Sequence, residues 1–174
     1  MNQVHDIQIQ TNSSTVKTIR CSVDKWCQLI KEGIEIPMIT YLDGVSMEPL
    51  IRCMQDPVTI VPVNRELIPG DVVLFRRNDG EYVLHRLYKV FKTEDKVQTW
   101  GDNCVSPDQI IPRSSVVGIA VSFNRNGKKH LLDSDSERIR GLSWLKSKYR
   151  RNAWFKYKKA KRKAGTALRK LFNT

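Results

Sequence analysis

Cysteine is scarce in this chain, and its four copies do not sit where a metal or a disulfide framework would need them. Cys21, Cys27, Cys53 and Cys104 form no CxxC pair and no zinc-ligand spacing, which excludes a zinc ribbon or a stapled secreted fold as the organising device. Long apolar runs are missing as well. No stretch approaches the ~18 to 20 apolar residues that span a bilayer. Residues 1–15 are polar, with neither the basic start nor the apolar core of a secretory signal. No internal repeat is visible, and no helix-turn-helix pattern precedes the main body. The expectation is a reduced, cytoplasmic protein. Acidic residues are almost absent from one end only: from Glu137 onward there are 14 Lys/Arg against one acid, so this segment carries +13 of a net +12 and the remainder sums to −1. The basicity belongs to the tail and says nothing about an active site in the body.

The chain is 174 residues long and 40% apolar, enough for one packed domain with an appendage. Residues 1–15 are expected to be a flexible N-terminus. Val16–Lys31 reads as an amphipathic helix with Ser22 as candidate N-cap and Gly33 at its stop. A strand is expected over 34–42. From there the pattern is short strands. Val58–Val63 carries flanking and internal prolines that suit an edge or bent strand. Val72–Phe75 is a continuous apolar run, typical of a strand buried on both faces. Tyr82–Phe91, Lys96–Trp100, Val116–Phe123 and Lys129–Leu132 follow, with hairpin turns at Asn78-Asp79-Gly80 and Asn126-Gly127. The fold class is therefore mainly β, a coiled, partly closed antiparallel sheet over 16–133 with a short N-terminal helix.

The tail, 134–174, opens with an oxygen-rich run, Asp133 to Glu137, that suits a helix N-terminus. Beyond it, aromatic residues lie among lysines and arginines. Three readings stand side by side: a solvated basic helix, a segment (138–170) that docks on an anionic membrane surface, and a site for nucleic acid or an acidic protein, with nucleic acid the weaker of the partner readings.

The stretch with chemical promise is Gly44-Val45-Ser46-Met47-Glu48-Pro49. A glycine permits a tight turn, a hydroxyl follows, and a proline limits the next step of the backbone, so a serine Oγ can be held in one direction. Serine is a poor nucleophile unless a base stands within hydrogen-bond reach. His85 titrates near neutral pH and can take that proton and return it. A carboxylate behind the ring would fix its tautomer and stabilise the imidazolium. His5 and His130 have no comparable setting.

These residues fall in a pattern. Gly44–Pro49, then Pro69-Gly70-Asp71-Val72-Val73-Leu74-Phe75, then Val83-Leu84-His85-Arg86-Leu87, then Gly101-Asp102-Asn103 with Asp108, then Val116-Val117-Gly118, resemble in order the successive boxes of type I signal peptidases. The resemblance covers about 34–123. The wider clan includes self-cleaving repressors of the DNA-damage response. Where the main bacterial enzymes have a lysine this chain has His85, so it looks like the Ser/His branch found in the endoplasmic reticulum, archaea and some Gram-positive bacteria. The resemblance implies Ser46 as nucleophile, His85 as base and Asp108 as orienting carboxylate. It implies Asp102 as a support acting through Arg86 or the backbone. Whether Asp108 or Asp102 holds the ring stays open at this point. Gly44 and Met47 flank the nucleophile. In many bacterial relatives a hydroxyl two residues before the serine is the second oxyanion donor, and Gly44 has none. An extended peptide with small P1 and P3 side chains would pair beside the serine, with Ile39, Tyr82 and Leu84 as candidate walls. The chemistry needs no cofactor and no metal.

Members of that family are normally anchored by transmembrane segments and work outside the cytoplasm, and no such segment is visible here. The expectation is a dedicated peptidase that trims a precursor, free in the cytoplasm or peripheral on the inner face of the membrane. A second class stands beside it: a non-catalytic module of the same fold that holds an extended peptide without cutting it.

Overall fold

The structure, a computed structural model, describes residues 8–11 and 17–172, with side-chain surroundings for 21–147 and 150–164. Strands β1 (Gln8–Thr11), β2 (Lys17–Arg20), β3 (Met38–Thr40), β4 (Val58–Pro62), β5 (Val72–Arg76), β6 (Tyr82–Phe91), β7 (Lys96–Trp100), β8 (Ile110–Pro112), β9 (Val116–Arg125) and β10 (Lys128–Leu131) form one sheet. Its order is β1-β2-β3-β4-β9-β5-β6-β7-β8, with β10 also on β9. Pairing is antiparallel except between β2 and β3. The architecture is mainly β, as expected. The sheet is open, however, because β1 and β8 end the order and do not pair with each other. Two compact units divide between Leu142 and Ser143, later in the chain than the expected boundary at Asp133.

Helix α1 (Val23–Lys31) starts after the extended Ser22, whose Oγ accepts from the Lys25 N–H at 3.3 Å. The expected helix from Val16 is therefore too long. Lys17–Arg20 is a strand that pairs with Gln8–Thr11, because Thr18 and Ile19 favour extended backbone and β1 offers a ladder. The same pairing corrects the flexible N-terminus at residues 8–11; residues 1–7 and 12–15 lie outside the described residues. Trp26 is fully buried, and its indole N–H donates to the Ile36 carbonyl at 2.7 Å. A Cβ on Gly118 would come within 2.8 Å of the Trp26 ring and 2.7 Å of Ile60. Glycine in the middle of β9 thus lets the helix lie down on the sheet.

The strand expected over 34–42 shortens to Met38–Thr40. β4 is bent, with a register shift between Thr59 and Ile60, but it is not an edge: β3 and β9 flank it. Pro62, which has no N–H to donate, stands at its end. β5 is buried on both faces along Val72–Phe75, and both hairpins form, with Gly80, Asn126 and Gly127 at positive φ.

Strand alternation sorts the core into two clusters. Met38, Met47, Ile60, Val72, Leu74, Leu84 and Phe123 pack with Trp26. Leu67, Val73, Phe75, Leu87, Val97, Ile111 and Ile119 pack together in the other. The β5–β6 register places Val73 opposite His85 and Val72 opposite Arg86, so the ring and the guanidinium leave β6 on opposite faces.

Helix α2 (Asp135–Lys146) begins where Ser134 Oγ accepts from the Glu137 N–H at 3.4 Å. Its Arg138 is buried and donates from Nε to Asp71 Oδ1 at 2.7 Å. Gly70 has no side chain there, and a Cβ would lie 2.6 Å from that of Arg138. Helix α3 (Lys148–Phe172) carries most of the basic residues of the tail. Within it Lys158 lies over the Trp154 ring and Arg151 over Phe155, each at 5.9 Å, while Lys156, Lys159, Lys161, Arg162 and Lys163 are exposed.

Candidate active site

The segment around Ser46 is a turn after β3. Gly44 adopts φ +154°, a conformation suited to glycine, and its N–H donates to Cys53 Sγ at 3.3 Å. Val45 is exposed, Ser46 half-buried, and Met47 fully buried in the Trp26 cluster. Met47 therefore anchors the turn from beneath. Beyond the turn, Asp56 is gripped by Arg52 and by Arg125 of β9, and Arg125 also donates to the Leu50 carbonyl at 2.8 Å. These ties fix the path of the chain that presents the serine.

A second turn, Gly101-Asp102-Asn103-Cys104, follows β7 and holds the first from the side. The Asn103 N–H donates to the Ser46 carbonyl at 2.7 Å, and its side-chain amide donates to the Val45 carbonyl at 2.8 Å. Asp102 receives a bidentate pair from Arg86, Nε at 2.9 Å and Nη2 at 2.8 Å, and Arg86 Nη1 donates to the Gly70 carbonyl at 2.9 Å. Both partners are only 2% exposed. Gly141 of α2 makes room for this guanidinium, because a Cβ there would fall 2.0 Å from Arg86 Cζ. Asp102 thus supports the turn through Arg86, one of the two routes foreseen.

His85 is 7% exposed. Its Nδ1 donates to Asp108 Oδ2 at 2.7 Å, and the same oxygen accepts from Thr99 Oγ1 at 2.7 Å. The backbone of Asp108 is fixed from β7 by its N–H to the Thr99 carbonyl and by Gln98 to its own carbonyl. Between the two aspartates, Asp108 holds the ring and Asp102 does not. Burial pulls the imidazole pKa down, but the hydrogen bond and charge of Asp108, with the Cys104 sulfur beside the ring, outweigh it and push it up to about 9. At neutral pH the resting ring is an imidazolium.

Gly101 is where the pieces meet. A Cβ there would lie 2.6 Å from Cys104 Sγ, 2.9 Å from His85 Nε2 and 2.9 Å from the Ser46 carbonyl oxygen. The turn bearing the serine and the free edge of the imidazole therefore share one small volume that only glycine leaves open. No hydrogen bond joins Ser46 Oγ to Nε2 among the described residues. Substrate-free sites often close that gap only when the peptide binds. The Ser46 N–H makes no hydrogen bond among the described residues, as a donor to an oxyanion requires.

A cavity of about 480 Å³ opens beside the ring, lined by Phe75, Val83, His85, Cys104, Asp108 and Ile111 among others. Of the expected substrate walls, none lines it. Leu84 is buried in the Trp26 cluster, and Tyr82 packs against the same cluster and donates its hydroxyl to Asp24 Oδ1 at 3.0 Å. Alternation explains the difference: Val83 shares a face with His85, whereas Tyr82 and Leu84 share the other. Ile39 is half-buried in β3. Sequence reasoning did not single out Thr99, the bridging role of Asn103, or Cys104. Thr99 lies in β7 two residues before Gly101, a spacing that places it on the Asp108 side only once the turn is known.

Comparison with family models finds no match, and comparison with curated proteins finds none either. Among the described residues no group of His, Cys, Asp and Glu could hold a metal ion, and no helix is long and apolar enough to cross a membrane.

Proposed function

We propose that this chain is a serine endopeptidase of signal-peptidase-like type, cleaving an extended segment of a precursor with small residues at P1 and P3. The observation that carries the reading is the convergence at Gly101 of the Ser46 turn and His85 Nε2, with Asp108 on Nδ1. Ser46 Oγ attacks the scissile carbonyl as Nε2 takes its proton. Asp108 then faces the imidazolium so formed, and the Ser46 N–H points to the developing oxyanion. The ring hands the proton to the leaving amine, and a water repeats the sequence to free the acyl group. Peptide side chains near the scissile bond would meet Phe75, Val83 and Ile111 of the cavity in place of Tyr82 and Leu84.

The enzyme is read as working in the cytoplasm, free or peripheral on the inner face of the membrane. Exposed lysines with the intervening aromatics of α3 support an anionic lipid surface as the partner of the tail over nucleic acid. A second reading, a peptide-binding module that does not cut, is favoured by the missing Ser46–His85 hydrogen bond and the protonated resting ring. A serine-directed peptide inhibitor separates the two. A covalent adduct on Ser46, lost in Ser46→Ala and His85→Ala, supports the enzyme. Saturable binding without an adduct supports the module.

A further inference from the structure

Four thiols are present, and among the described residues only Cys104 lies beside an imidazole. Cys53 Sγ accepts from the Gly44 N–H, while Cys21 and Cys27 pack against the Trp26 cluster. Cys104 is different. Its N–H donates to the Gly101 carbonyl at 2.9 Å, and its carbonyl accepts from Trp100 Nε1 at 2.9 Å. Those two bonds hold its Sγ at the point in Gly101 that His85 Nε2 also borders. Both side chains line the 480 Å³ cavity, so a reagent that enters it reaches the sulfur and the base together. Nδ1 is committed to Asp108, which leaves Nε2 to serve a neighbour.

We propose that Cys104 is a covalent-modification site in this cavity, where the thiol uses His85 as its base to exchange with a low-molecular-weight disulfide. The step runs through the neutral form of the ring, the minor form below about pH 9, and the Cys104 S–H gives its proton to that Nε2. The thiolate attacks one sulfur of the reagent, forming a new S–S bond as the reagent's own S–S bond breaks. The departing thiolate takes the proton back from the ring and leaves as a thiol. The disulfide is the only oxidant needed, and excess thiol reverses the step. Ser46 and Cys104 draw on the same nitrogen, and a mixed disulfide occupies the space beside it. The inference shares His85 with the peptidase reading but does not require Ser46 to be a nucleophile.

The test exposes the full chain to oxidised glutathione, quenches with acid, and maps adducts by peptide mass spectrometry over time. Cys104 is expected to react at least about tenfold faster than Cys21, Cys27 or Cys53, since only Cys104 has an imidazole beside it to take its proton as the sulfur attacks. His85→Asn is expected to slow Cys104 by about tenfold or more while the other three rates hold. Those three rates report whether the fold survives; where they rise, Asp108→Asn takes its place and is expected to slow Cys104 selectively. Ser46→Ala is expected to lose peptide cleavage and keep the fast Cys104 rate, so failure of the peptidase reading and failure of this one look different. Equal rates at all four cysteines, or a Cys104 rate untouched in the folded variant, overturn the proposal.

Discussion

Replacing Asp108 with asparagine keeps the shape of the side chain and removes its charge. His85 is raised from an ordinary value near 6.5 to about 9, against the pull of burial, by that carboxylate first and by the neighbouring Cys104 sulfur second. A pKa difference of this size corresponds to about 3 kcal/mol of differential interaction. The folded state binds the imidazole proton more tightly than the unfolded chain, so the stabilisation is fully present below about pH 6.5 and disappears as pH rises through about 9. Asp108 supplies part of that, so Asp108→Asn is expected to lose at most about 3 kcal/mol at pH 6 and much less at pH 9.5, by urea unfolding of both proteins across that range. Activity moves in two ways. On the proposed peptidase function the neutral imidazole of the parent is the base, so the rate is expected to climb with pH toward a limb near 9. In the variant, only the Cys104 sulfur still opposes burial, the limb moves down toward neutrality, and the plateau falls roughly 10²- to 10⁴-fold because the amide no longer sets the tautomer or faces the imidazolium. A stability difference that is flat with pH, or an activity limb that stays put, would refute the assignment of Asp108 as the partner that raises His85.

Gly101→Ala places a methyl group against Nε2, the Ser46 carbonyl and Cys104 Sγ; cleavage is expected to fall by at least about a hundredfold, as a misplacement near 1 Å can cost, and parental kcat/KM would refute the crowding. Asp102→Ala leaves the buried Arg86 guanidinium without its counter-charge, so unfolding should show a loss of about 3–5 kcal/mol. Asn103→Ala removes the amide that ties Val45 to the second turn; stability is expected to drop by about 1 kcal/mol, with a larger fall in kcat than in KM effect. Binding of the chain to anionic vesicles is expected to weaken steadily as salt rises to about 0.5 M, and salt-independent binding would remove the lipid reading of α3.

Much of the body can be read from residue order because its turns carry their own chemistry. Gly80 and Asn126-Gly127 adopt the positive φ their hairpins need, and the apolar run of β5 announces burial on both faces. The N-terminal pair could not be read, because Lys17–Arg20 continues into a helical stripe and only a partner strand at Gln8–Thr11 makes it extended. At the site, His85 and Arg86 are neighbours in one string and Asp102 and Asp108 lie six residues apart in another, and strand alternation sends Arg86 to Asp102 and His85 to Asp108. The same alternation defeated the choice of Tyr82 and Leu84: proximity in sequence to His85 is not proximity in space when neighbours on a strand face opposite ways. Thr99 and Cys104 depend on how a turn folds back, which no local pattern encodes.

The account rests on a serine hydroxyl and an imidazole acting as one unit. Its most direct measurement is cleavage of peptides with small residues at P1 and P3, above the ring's value of about 9 so that most of it is neutral, by the parent, Ser46→Ala, His85→Ala and the double variant. Each single change is expected to abolish turnover to a similar floor, at least about 10³-fold down, with no further loss in the double variant, as for residues that work together. Cleavage by Ser46→Ala at the parental rate, or losses that multiply in the double variant, would contradict it.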